Sequence, residues 1–390
     1  MKVEKQESPL DYLPEAMVEE MLSKHGDVVK GVSTRLLEIE KMKEPIREGL
    51  SKSGLLKNIN DILRQKSYPT TVGVDGTYAV IRQLSLDTVG ISGVAVEGLI
   101  PPKETRRWEK PQHIINIFPV EHSPLTLRIC SAIMFSYELD LAARAPHRVV
   151  FLDGSLTTQL IKIGQGLEVL DDAPAKLKEE FAPRILSTLQ NYLKVLTSPR
   201  VDIMYVGIPK YTTRNEVLKI LKDGGMSSPA LETSDDKGLL SLALKPGDVV
   251  GPVRLSRPED SWHLTLGESR KDQPALVELK EKIIDALRKL HVLYFKPSSS
   301  HPALRVEIGE NIALNDHWIA TLLEALTDQS GIPGVLEPYP LYIADLFAKH
   351  AYLALSELRE AALNDVDRIV GASSDVYLAS HDYRTEGGFE

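Results

Sequence analysis

Two short stretches hold the residue types that metal and phosphate chemistry needs. In Thr70-Thr-Val-Gly-Val-Asp-Gly-Thr-Tyr-Ala-Val80 and in His147-Arg-Val-Val-Phe-Leu-Asp-Gly-Ser-Leu156, an apolar, β-branched run ends in Asp-Gly-Thr or Asp-Gly-Ser. A short unbroken apolar run followed by glycine reads as a strand buried on both faces. A carboxylate at the mouth of such a strand is costly unless something positive balances it. Two such strands side by side would bring Asp75 and Asp153 onto one divalent cation. Each Asp-Gly also reads as a plain turn, the acid bonding its own backbone and glycine supplying a positive φ. The two readings stand side by side, and the repeated grammar is what favours the cation.

Further candidates lie around this pair. In the helix expected from Pro124 to about Arg144, Glu138 has Met134, Leu141 and Ala142 as its neighbours at i−4, i+3 and i+4, so its carboxylate sits on an apolar stripe. It either emerges at the edge of that stripe or meets a cation. Asp140, with Arg144 four residues on, reads as an ordinary solvated pair. Lys210 ends the strand Val201-Asp-Ile-Met-Tyr-Val-Gly-Ile-Pro and is either a phosphate contact or a surface lysine. Asp345 lies in line with Leu341, Ala348 and Tyr352 on a C-terminal helix, with Lys349 as an i,i+4 partner. The stretch Lys103-Glu-Thr-Arg-Arg-Trp-Glu-Lys110 sets Lys103, Arg106 and Arg107 beside Trp108, charge for phosphates and a ring for a base, or a solvated loop with its tryptophan tucked against a sheet.

The elements that must position these residues follow from periodicity. Residues 14–65 read as helix, with Gly26, Gly31, Pro45 and Gly49 expected to divide it into several short helices that form an arm for dimerisation or packing. Residues 70–120 read as a meander of about three strands, followed by the Glu138 helix, opened by Ser123 as N-cap with Pro124 in its first turn, and then by the Asp153 strand. Beyond it come a helix over 175–196, the strand leading to Lys210, loops with short strands over 221–274, a helix over 276–290, and strands at 291–295 and 304–308. In the last of these Arg305 and Glu307 share one face. The segment 338–355 is apolar on nearly every side and is expected to be a buried helix.

With 390 residues, 43% hydrophobic and 26% charged, the chain is long enough for two domains or one large one. A net charge of −9 excludes a surface that is basic all over, so any nucleic-acid contact must come from a local patch or a partner. The single cysteine, Cys130, excludes a disulfide framework and a cysteine-based zinc site. No apolar stretch is long enough for a membrane span and the N-terminus lacks a signal core, so a soluble, cytoplasmic protein is expected.

In their order, the Asp-Gly-Thr and Asp-Gly-Ser-Leu motifs, Val206-Gly-Ile-Pro-Lys210, Leu304-Arg-Val-Glu-Ile308 and Pro338-Tyr-Pro-Leu-Tyr-Ile-Ala-Asp345 resemble the NurA family of nucleases over roughly residues 68–365. The resemblance implies a ribonuclease H-like α/β fold, a mixed sheet flanked by helices. With the helical arm read from periodicity (1–67) and the polar last residues read as a flexible tail (380–390), it leaves a nuclease domain with insertions over 68–379. It further implies resection of DNA ends with manganese or magnesium, as a homodimer docked on a HerA-type hexameric ATPase. Carried over, Asp75, Glu138 and Asp153 match the metal-binding acids. The chain departs from the family at Asp345, where the family's Pro-Leu-x-x-Ala-His pattern has histidine; aspartate is also a ligand for hard cations. The implied chemistry is phosphodiester hydrolysis with two cations about 3.5–4 Å apart, Lys210 steadying the phosphate oxygens. Two other readings compete: an actin-like ATPase, which uses a similar strand-acid-Gly-Thr grammar but for which no Walker lysine loop is present, and a scaffold subunit whose acids are structural.

Overall fold

Strand runs that are apolar on both sides need cover on both faces, and the chain builds one sheet with helices above and below it. The computed structural model describes residues 9–370 apart from 64–65, 84–85, 102–103, 201 and 256–262. Its first half runs α1 (Glu15–Lys52), β1 (Leu56–Asn58), α2 (Ile59–Ile62), β2 (Thr71–Arg82), β3 (Asp87–Glu97), β4 (Gln112–Val120), α3 (Thr126–Arg144), β5 (Val149–Asp153), α4 (Leu156–Val169), α5 (Ala175–Phe181) and α6 (Ile185–Thr197). The second half adds β6 (Met204–Ile208), α7 (Glu216–Asp223), α8 (Pro229–Glu232), α9 (Asp236–Ala243), β7 (Asp248–Arg254), α10 (Pro274–Arg288), β8 (His291–Phe295), β9 (Leu304–Ile308), α11 (Glu310–Ala313), α12 (Asp316–Gln329) and α13 (Tyr339–Val370).

Among the described residues nine strands form one mixed sheet in the order β1-β7-β8-β9-β6-β5-β2-β3-β4. The expected meander is β2-β3-β4, antiparallel throughout. Strands β2, β5 and β6 run parallel at the centre. Strand alternation splits the core. Val72, Val74, Val150 and Leu152 point into a core shared with α3, α4 and α6, whereas Val149, Phe151, Val206 and Ile208 join Leu322, Leu326 and Leu341 of α12 and α13 on the other face. This is the mixed sheet flanked by helices, with an N-terminal helix, that the motifs implied.

Three elements depart from expectation. The arm is one 38-residue helix, not several. Gly26 and Gly31 have nothing within 4 Å of a notional side chain, so no packing bends the helix there. Each glycine costs only about 1 kcal/mol, and burial of Ile39, Ile46 and Leu50 anchors the C-terminal third, through and beyond Pro45. Residues 221–274 contain the end of α7 and the whole of α8 and α9, not only loops and strands. The serines and aspartates that read as loop include a cap, with Asp235 accepting from Gly238 N at 2.8 Å. Helix α13 is buried on one face only: Leu341, Ala344, Ala348 and Leu355 pack inward, while Leu346, Phe347, Tyr352 and Leu353 are exposed. It lies close on β2 because Gly73 has no side chain; a Cβ there would stand 2.3 Å from the Pro340 carbonyl carbon. The tail 380–390 falls outside the described residues.

Candidate metal centre

The parallel register of β2 and β5 pairs Val74 with Leu152, and continuing it sets Asp75 beside Asp153. Asp75 shares a strand face with Gly73, the face covered by α13, and Asp345 lies little more than one turn beyond the Pro340 contact. The result is a group of three: Asp75, Asp153 and Asp345 each offer a carboxylate oxygen, all within 4.8 Å of one another. At Asp75-Gly76 there is no turn, since β2 runs on to Arg82 with Gly76 paired to Gly93. At Asp153-Gly154 there is one, with Gly154 at φ +80°. Ser155 then caps α4, accepting from Thr157 N at 3.2 Å.

Charge at the group is partly balanced from within. The Lys210 ammonium stands 3.1 Å from Asp153 Oδ2, 2.9 Å from Asp345 Oδ1 and 3.5 Å from Glu337 Oε2. Burial works against its charge, but these carboxylates outweigh it and raise its pKa. Lys349, itself exposed, lies 2.6 Å from the other oxygen of Asp345. Burial would raise the Asp345 pKa, and its two lysines overcome this and lower it. Asp75 receives less help. Burial first, and then the Asp153 charge, raise its pKa to about 7, against the opposing pull of the Gly76 N–H and Lys210. Asp153 Oδ1 is buried and accepts no hydrogen bond.

Glu138 is not one of the three. It belongs to α3, on the opposite face of the sheet, and reaches the strand where Gly76 leaves room: a Cβ on Gly76 would lie 2.8 Å from Glu138 Oε1 and 2.8 Å from Met134 Cγ. The side chain is 2% exposed and its Oε2 has no hydrogen-bond partner. Burial, followed by the charges of Asp75 and Asp153, pushes its pKa well above the ordinary carboxylate value. Asp140 forms the expected pair with Arg144, accepting from its Nε at 3.0 Å.

Two further acids escaped the sequence reading. Glu337 was missed because an isolated acid in a loop belongs to no periodic pattern; only its place directly before Pro338-Tyr-Pro marked it. Glu307 was seen as a member of a strand face but not as a brace. Its Oε2 accepts from Ser155 Oγ at 2.7 Å and from Leu156 N at 3.1 Å, which fixes the turn after Asp153. Glu307 is held in turn by Arg305, whose Nε lies 3.0 Å from its Oε1 and whose Nη1 lies 2.8 Å from Glu216 Oε2.

The basic stretch is elsewhere. It adjoins Glu97 and His147, beyond the start of β5, whereas the acids stand at its end. Arg107 N donates to Glu97 Oε1 at 2.8 Å, and its guanidinium pairs with Glu104 at 2.9 Å. Trp108 is half-buried and meets the His147 ring edge-on, with centroids 4.7 Å apart. Arg106 is exposed, and Lys103 lies outside the described residues. The structure does not bring Arg106, Arg107 or Trp108 of this stretch to the carboxylates.

The donor set of the three aspartates suits a hard divalent cation, since it is all oxygen and one buried oxygen has no partner. Comparison with known proteins agrees with the motifs. The family model described as NurA domain matches residues 69–349. Among solved structures, the NurA nuclease from Sulfolobus solfataricus matches with a TM-score of 0.56 and 13% identity, over 90% of this chain and 98% of that one. A structure of NurA bound to dAMP and manganese matches with a TM-score of 0.49 and 13% identity, over 85% and 93% of the two chains. Among curated proteins none matches the sequence.

Proposed function

The chain belongs to the NurA family, and from that premise we propose that it is a divalent-metal-dependent nuclease that hydrolyses phosphodiester bonds in DNA. The observation that carries this reading is the convergence of Asp75, Asp153 and Asp345 within 4.8 Å at the end of the central parallel strands. These three would hold the metal, manganese or magnesium, as one ion or two. When bound, such an ion supplies a Lewis acid and a water made nucleophilic at neutral pH. The chain's own residues do the rest. Glu307, through Ser155 and Leu156 N, fixes the turn that aims Asp153. Lys210 supplies an ammonium for the non-bridging oxygens of the scissile phosphate. Glu138 stands behind Gly76 on the far face, where burial and the charges of Asp75 and Asp153 oppose its ionisation; a bound cation would favour its charged form.

The assembly belongs to the same proposal. An acidic protein, at −9, gains little non-specific DNA affinity from its overall field. A ring-shaped motor of the HerA type would deliver DNA ends that its surface does not attract. Exposed Met17, Met21, Val28, Val32 and Leu36 along α1 give an apolar surface for a homodimer. Family membership favours the nuclease over an actin-like ATPase.

The test is digestion of end-labelled single- and double-stranded DNA with manganese, magnesium or EDTA. Cleavage with metal and none in EDTA is the expected outcome. Intact DNA in every metal, at protein concentrations well above those of the ends, would favour the scaffold reading.

A further inference from the structure

We propose that Lys210 is a built-in stand-in cation, which holds Asp153 and Asp345 together in the metal-free protein and withdraws onto Glu337 when a divalent ion takes its place. This rests on the reading of the three aspartates as a metal site.

Five carboxylates gather at or against this end of the sheet: Asp75, Glu138, Asp153, Glu337 and Asp345. Without a metal, the ammonium of Lys210 is shared by three of them, Asp153, Glu337 and Asp345. It lies between Asp153 and Asp345 at 3.1 and 2.9 Å, distances at which it bridges both. An ammonium carries a single charge and three donors on a flexible four-carbon stem, and here the three carboxylates within 3.5 Å of it are Asp153, Glu337 and Asp345, not Asp75. Two of the three aspartates are therefore in direct contact with lysine, whereas Asp75 accepts from Gly76 N at 2.8 Å and feels the Lys210 charge only from a distance.

Where the stem can go is set by its surroundings. The main chain is pinned, because Lys237 Nζ donates to the carbonyls of Pro209 at 3.0 Å and of Lys210 at 2.6 Å. The side chain is the part left to move. Glu337 is outside the group of three, yet its Oε2 is buried 3.5 Å from the same ammonium, the longest of the three contacts. An ammonium that gives up Asp153 and Asp345 thus has a carboxylate waiting within a side-chain rotation. Lys349 cannot substitute for it. That side chain is 70% exposed, holds only the outer oxygen of Asp345, and belongs to the class of surface pairs worth little. Metal and ammonium compete for the same two aspartates, and Glu337 sets the balance between them.

The experiment is manganese titration by calorimetry on the full chain, with melting curves in EDTA, for wild type, Lys210→Met, Glu337→Gln and the double variant. Lys210→Met is expected to melt below wild type in EDTA and to bind manganese roughly tenfold more tightly, a coupling of ordinary size for two competing ligands. Glu337→Gln is expected to bind manganese several-fold more weakly than wild type while Lys210 is present. In the double variant it should change nothing relative to Lys210→Met. If Lys210→Met binds manganese no more tightly than wild type, the lysine is not a competitor and the proposal fails. If Glu337→Gln weakens binding equally with and without Lys210, Glu337 is a ligand and not the receiver. Should Lys210→Met not fold, Lys210→Gln carries the same comparison. Wild type that binds no manganese at all would sink the metal-site reading itself, and this proposal with it.

Discussion

Asp75 keeps its proton up to about pH 7 because burial and the Asp153 charge both oppose its ionisation, whereas in the unfolded chain it ionises near 3.8. Between those values the folded protein binds more protons than the unfolded one. The stability of the metal-free protein must then fall, at this group, as pH rises from about 4 to about 7. Asp75→Asn removes the effect. Its melting temperature in EDTA should exceed that of wild type by a margin that grows across this window, to several degrees at neutral pH; a margin equal at both ends would contradict the electrostatic picture. Asp75 and Asp153 were legible in the sequence because the strand run and the glycine frame them, and Asp345 because helical spacing aligns it with Leu341 and Ala348. The side of the sheet taken by Glu138 was not legible from α3 alone. It follows from strand parity, since Asp75 and Gly76 face opposite ways and the helix acid meets the glycine.

At the scale of elements, β9 does more than pair. Arg305 is fully buried between Glu216 of α7 and Glu307 of its own strand, and Glu307 in turn holds the start of α4. Such a network is costly to break, because removing one partner leaves a buried charge uncompensated. Arg305→Met should cost about 3–5 kcal/mol, read as a lowered urea midpoint, and an unchanged midpoint would mean that the network is dispensable. Alternation showed that Arg305 and Glu307 share a face, but their partner Glu216 lies 89 residues away and no local pattern points to it. Helices α1 and α13 show the complementary limit. Glycine and proline in α1 read as breaks, although a helix tolerates glycine where nothing presses on it, as at Gly26 and Gly31, and burial of Ile46 and Leu50 carries it past Pro45 and Gly49. The apolar surface of α13 read as buried although periodicity reports which residues share a face, not whether anything covers it.

For the whole molecule, the meander and the strands that carry the acids were legible, but helices α4 and α12 and the strand order were not, because β7, β8 and β9 insert between β1 and β6 through the β1–β7 and β6–β9 pairings, which are distant in sequence. The N-terminal arm, about 57 Å of helix by its rise per residue, carries exposed Val28, Val32 and Leu36 one turn apart. If that stripe joins two copies, replacing all three with lysine should convert a dimer to a monomer by light scattering while leaving the melting temperature of the sheet domain nearly unchanged. A wild-type monomer, or a dimer indifferent to the lysines, would place the contact elsewhere. The central claim is that the three-aspartate cluster cuts DNA. The most direct measurement of it is manganese-dependent digestion of labelled DNA by Asp153→Asn, whose shape is kept and whose charge is removed, beside wild type. A folded variant with no detectable cleavage, against rapid cleavage by wild type, is the predicted result. Cleavage by the variant at near wild-type rate would contradict it.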